Sequence, residues 1–124
     1  MHVMPASREM NTLPENQQRL TQVKRTMQSI GKESPAFVKA FLNLKAAVEE
    51  PGALDKKTKK LIAIALAIAT KCEWCVSLHV KDALDAGATP AEIMETCFVA
   101  VLMGGAPDLM FSQRVMDAVK EFST

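Results

Sequence analysis

Residues 61–69 read LIAIALAIA, and whether they form a strand or a helix decides the fold. Ile62, Ile64, Leu66 and Ile68 alternate with alanine, which is the period of a strand. Alanine, however, is among the best helix formers and a poor strand former, and no other stretch offers a partner strand. The segment therefore reads as a helix. A helix that is apolar all round is expected to be buried, and its alanines let neighbours approach closely. We place it at the centre of the molecule.

Outward from there, the punctuation is helical throughout. Asp55 can cap the segment that contains LIAIALAIA. In SPAF, Ser34 and Pro35 are the N-cap and first-residue pairing of another helix, which EEPG stops. GATPAEI (residues 87–93) is the clearest start: Thr89 as N-cap, Pro90 next, and Glu92 completing a capping box. Gly87 ends the helix before it, and Gly104 with Gly105 the one after. A last amphipathic segment carries Leu109, Met110, Val115, Met116, Val119 and Phe122. Residues 14–30 form a more polar helix with Leu20, Val23, Met27 and Ile30 as its stripe. The expectation is an all-α fold of about six helices: a single domain over 14–124 behind a loosely held arm, 1–13.

The bulk properties close off several classes. A net charge of +1 gives no reason to expect nucleic acid or another polyanion as partner. DKKTKK (residues 55–60) is the largest basic cluster and reads as a solvated helix start. Nine apolar residues fall far short of the roughly 20 that span a bilayer, and MHVMPASREM has no signal-peptide pattern. The expected location is the cytoplasm, where paired cysteines are more often catalytic or metal-binding than structural.

Such a pair lies in KCEWCVSLHV, residues 71–80. If a new helix starts at about Cys72, then Cys72, Cys75 and His79 fall within about 60° on its wheel. Cys75 and His79 are one turn apart, so the imidazole can reach the thiol. Free N–H groups at a helix start favour an anion and lower thiol pKa values. The spacing also suits a reversible disulfide. In a regular helix the i and i+3 Cβ atoms are about 5–6 Å apart, too far for a bond that wants about 3.8 Å. At the first turn Cys72 need not be helical, and the gap can close. The plainest alternative is that two small hydrophobes and a histidine fall together by chance. Another is half a zinc site, but structural zinc wants four ligands, and the chain has no second CxxC or HxxxH. His2 lies in the arm, and Cys97 sits in METCFVAVLM with no ligand beside it. Haem attachment needs histidine directly after the second cysteine, and VSL intervenes. No metal and no cofactor are expected. Cys97 reads as core, Trp74 as packing, and the methionines as core filling.

Taken in order, the apolar helix, CxxCxxxH, ALDAGATPAEI and the glycine pair with proline resemble the alkylhydroperoxidase D-like (AhpD-like) group of the carboxymuconolactone decarboxylase superfamily. The likeness covers about residues 52–120. It implies an AhpD-like helical bundle assembled as a homo-oligomer, a trimer or hexamer. It also implies thiol-dependent reduction of a small hydroperoxide, with a dithiol or thioredoxin-like protein as reductant. By position, Cys75 is the peroxidatic cysteine, Cys72 the resolving one and His79 the proton relay. One position departs. The relay glutamate usual in the group falls at Lys60, within KKL; an antiparallel hairpin of helices 55–70 and 72–86 would put it near residues 79–83, beside the histidine, which implies a weak peroxidase. Glu73 and Asp82 are local carboxylates that can stand in, and Glu49 or Glu50 could approach from the preceding helix. The alternatives are a decarboxylase-type lyase, which does not need both cysteines, and a non-catalytic redox-sensing or binding oligomer.

Overall fold

Three of the helices start where side-chain capping residues put them. The structure, a computed structural model, describes residues 7–123. Among these residues there are seven α-helices and no strand. They are α1 (Ser7–Met10), α2 (Glu15–Glu33), α3 (Pro35–Glu49), α4 (Lys56–Ala69), α5 (Glu73–Asp85), α6 (Pro90–Gly104) and α7 (Ala106–Phe122). LIAIALAIA is thus helical, as its alanines require. The helix beyond the expected six is α1, a single turn within the expected arm, whose Met10 is buried. His2 lies outside the described residues. Ser34 accepts from the Phe37 N–H (3.4 Å) and Asp55 from that of Thr58 (2.8 Å). At α6 the capping box is complete: Thr89 Oγ1 accepts from Glu92 N (3.1 Å), and Glu92 Oε1 from Thr89 N (2.9 Å).

The helices form two compact units, Met1–Glu50 and Pro51–Thr124. In the first, α2 packs on α3, and Phe37 and Phe41 stack on α3 with ring centroids 6.4 Å apart. Arg19, buried on α2, pairs with Glu15 and donates to Asn16 Oδ1 at 3.3 Å. In the second unit, α4 packs on α5 and α6, and α7 packs on the same two helices and touches α4. The core takes Ile64 and Ile68 from α4, Val76 and Val80 from α5, Ile93 and Cys97 from α6, and Val115 from α7. Ala67, Ala83, Ala100 and Ala118 fill between them, which keeps the helices close.

Two expectations about burial are corrected. α4 is not buried all round: Ile64 and Ile68 are fully buried, but Ile62 and Leu66 are 44% and 59% exposed. A period of two becomes a 200° step at 100° per residue, so alternate positions fall on opposite faces of a helix. The core covers one of the two stripes. The methionines are also not mainly core filling. Met10 is the one buried among those described, whereas Met103 and Met110 are 82% and 74% exposed. No described helix is long and apolar enough to cross a membrane.

Candidate active site

The segment joining α4 to α5 is three residues long, Thr70 to Cys72. α4 ends with Thr70 and Lys71, whose N–H groups donate back to Leu66 O (2.9 Å) and Ile68 O (3.1 Å). Lys71 has φ +57°, and this left-handed turn reverses the chain into α5. Cys72 follows as the N-cap with extended backbone, φ −97° and ψ 103°. Its Sγ accepts from the N–H of Cys75 at 3.1 Å, the bond a serine oxygen would accept at an ordinary cap.

Cys72 is not helical, so its side chain is not held to the helix's outward direction; its Cα lies 5.2 Å from that of Cys75 and the two sulfurs are bonded. The pair expected from the spacing is therefore joined, and both cysteines are partly exposed. Cys75 packs against the core cluster. Trp74, between them, is half exposed, while Glu73 pairs with Arg114 of α7 at 3.0 Å.

Cys75, His79 and Asp82 fall within about 60° on the α5 wheel, and Nδ1 of His79 is buried. The stripe meets α4 at Lys60. Lys60 lies near residues 79–83, where the antiparallel hairpin puts it, but it is not solvated with the rest of DKKTKK: it is only 3% exposed, with Nζ 3.1 Å from Asp82 Oδ2. A buried ammonium needs a counter-charge, and the antiparallel register of α4 and α5 supplies Asp82. Lys57, one turn earlier and partly exposed, pairs with Glu92 at 2.8 Å. The position that departs from the AhpD-like pattern is thus a buried lysine, paired with a partly exposed carboxylate one turn beyond the histidine.

Cys97 lies apart, in α6, as a free thiol 1% exposed. Burial pushes its pKa up, with a partial offset from the Ser112 hydroxyl. It lies under two apolar cavities of about 160 and 280 Å³ along the seam between α6 and α7, which also share Met94 and Met116. Among the described residues no group of three or more His, Cys, Asp or Glu side chains could hold a metal ion. Sequence reasoning missed Lys71 and Asp108, which form an ion pair beside the disulfide. A lysine adjoining CxxC was the signal for one, but nothing local marks its partner.

The model of the carboxymuconolactone decarboxylase family matches residues 35–118. The chain belongs to that family. It is similar to a carboxymuconolactone decarboxylase family protein from Legionella pneumophila, at 37% identity and a TM-score of 0.85, over 89% of this chain and 98% of that one. It also resembles a family protein from Thermotoga maritima for which a part in an antioxidative response has been suggested. There the identity is 27% and the TM-score 0.73, over 82% of this chain and 87% of the other. An uncharacterised protein of Cupriavidus necator is 34% identical over 98 residues, 79% of this chain and 87% of that protein. One from Paracoccus denitrificans is 53% identical over 64 residues, 52% and 58% of the two lengths.

Proposed function

We propose that this family member reduces hydroperoxides through a Cys72–Cys75 dithiol cycle, with His79 moving the proton. The observation that carries the reading is a disulfide formed across the first turn of α5, one turn from a histidine on the same face. The Cys75 thiolate attacks the distal oxygen of ROOH, and the O–O bond breaks. Cys75 becomes a sulfenic acid, and the departing alkoxide takes a proton from His79 to leave as ROH. The Cys72 thiol then attacks the sulfenic sulfur, expelling water and forming the disulfide. An external dithiol returns two electrons and resets the pair. The antioxidative part suggested for the Thermotoga protein supports the same reading.

A second order of attack is favoured by one contact. Cys72 Sγ is the sulfur that accepts the Cys75 N–H, so the helix terminus stabilises a thiolate at Cys72 most directly. His79 favours Cys75 instead, and the two influences are separable by experiment.

Lys60, paired with Asp82, stands where a carboxylate would support imidazolium at His79, and we read the protein as a slow peroxidase for that reason. A homo-oligomer, trimer or hexamer, completes the reading, since Phe98, Val99, Leu102 and Met103 leave one face of α6 open.

Peroxide consumption by the purified protein with a dithiol donor is the test. Cys75→Ser should abolish turnover, Cys72→Ser should leave one stoichiometric reaction, and His79→Ala should move the pH profile of Cys75 alkylation upward. A protein that consumes no peroxide while its dithiol still titrates is a redox sensor or binding module. Single-turnover reaction at Cys72 in the Cys75→Ser variant would reverse the order of attack.

A further inference from the structure

The turn before the cysteines holds a lysine in a conformation that suits glycine. At φ +57° a side chain meets its own backbone, and for a residue other than glycine the left-handed region is disfavoured by about 5- to 30-fold. Two backbone bonds close the turn, Lys71 N–H to Ile68 O (3.1 Å) and Cys72 N–H to Ala67 O (3.0 Å), and the Lys71 side chain adds contacts that hold it further.

There are three such contacts. Nζ pairs with Asp108 Oδ1, donates to Ile68 O at 3.1 Å and lies 5.8 Å from the centre of the Phe111 ring. Asp108 is 4% exposed in the first turn of α7, and a buried carboxylate needs its cation. Its seat exists because Gly104 has no side chain: a Cβ there would land on the Asp108 carboxylate. Moving that carboxylate aside would separate it from Lys71. The residue that follows Lys71 is Cys72, whose backbone direction places its Sγ over the start of α5.

We propose that the Lys71–Asp108 pair is a latch that holds Cys72 in bonding position for Cys75, which makes both residues positioning residues of the dithiol couple. The proposal rests on reading that couple as reversible. When the disulfide is reduced, nothing covalent keeps the sulfurs together. Without the latch, only the two backbone bonds oppose relaxation of Lys71 to φ below zero, which would carry Cys72 away from its partner. With it, the turn survives reduction and the two thiols keep a high effective concentration toward each other.

The experiment equilibrates the full chain with graded ratios of reduced and oxidised dithiothreitol and counts free thiols by alkylation. The reaction exchanges one disulfide for another, with two electrons and two protons passing to the protein. Lys71→Met should shift the equilibrium toward dithiol by about 5- to 30-fold. Lys71→Gly, free to adopt the turn unaided, should shift it less, and Lys71→Arg should restore the wild-type value. Gly104→Ala should act like Asp108→Asn, although it alters neither charge. Melting of the reduced variants shows which are folded. Lys71 is at the surface, so its three variants decide the matter even if the buried Asp108 and Gly104 changes do not fold. An unmoved Lys71→Met overturns the latch. Equal shifts in Lys71→Met and Lys71→Gly overturn it too, because they would assign the effect to charge alone. A wild type whose pair cannot be titrated sinks the reversible couple, and the latch with it.

Discussion

Lys60 carries the sharpest difference between what its neighbours in sequence imply and where it goes. Surrounded by Lys56, Lys57 and Lys59 it reads as solvated, yet its side chain is 4% exposed against 27% for Asp82. Local composition does not encode that burial, which depends on the register between α4 and α5. The unequal exposure orders the cost of breaking the pair. Asp82→Asn leaves a buried ammonium without that carboxylate and should destabilise by about 3 kcal/mol. Lys60→Met removes the buried charge itself and leaves a carboxylate that can reach water, so about 1 kcal/mol or less is expected. Urea unfolding at neutral pH, with Trp74 as probe, checks the order. Equal losses would show that the two partners share one environment. The cysteines were more legible, because i and i+3 at a helix start constrain each other within four residues.

At the scale of elements, caps were readable because their chemistry is local. SPAF, Asp55 and GATPAEI each name their own start, and the structure places all three helices accordingly. What failed was the face of α4. An alternating pattern fits two stripes on a helix, and choosing the covered one needs knowledge of the neighbours. The α6 cap has a pH signature. The Lys57 ammonium, then the Thr89 N–H, hold the Glu92 carboxyl below its ordinary 4.5. A lowered folded-state pKa contributes stability above 4.5, and that contribution is lost as pH falls through the folded value. Glu92→Gln should therefore melt below wild type at about pH 7, with the gap closing under acid. Thermal melts at several pH values read it. A gap that persists in acid would assign the effect to the neutral capping bond.

For the whole molecule, the open apolar residues of α6 bear on assembly. Leu102 and Met103 are each 82% exposed, more than a lone soluble chain usually leaves in adjacent positions. Light scattering at micromolar concentration should return a trimer or hexamer, and Leu102→Glu with Met103→Glu should give smaller particles. Neither side chain supports the core of its own chain, so far-UV circular dichroism should stay unchanged. A monomeric wild type would remove the oligomer from the reading.

Cys97 gives the fold a clock of its own. The thiol is sealed between α6 and α7 with its pKa raised by burial, so a labelling reagent reaches it only when that seam parts. Its modification rate then measures how often the seam opens, not how reactive the sulfur is. In fully reduced protein two thiols should label promptly and the third orders of magnitude later, at a rate that tracks denaturant. If a neighbouring subunit lies over the same seam, dilution should quicken that third reaction while the first two keep their pace.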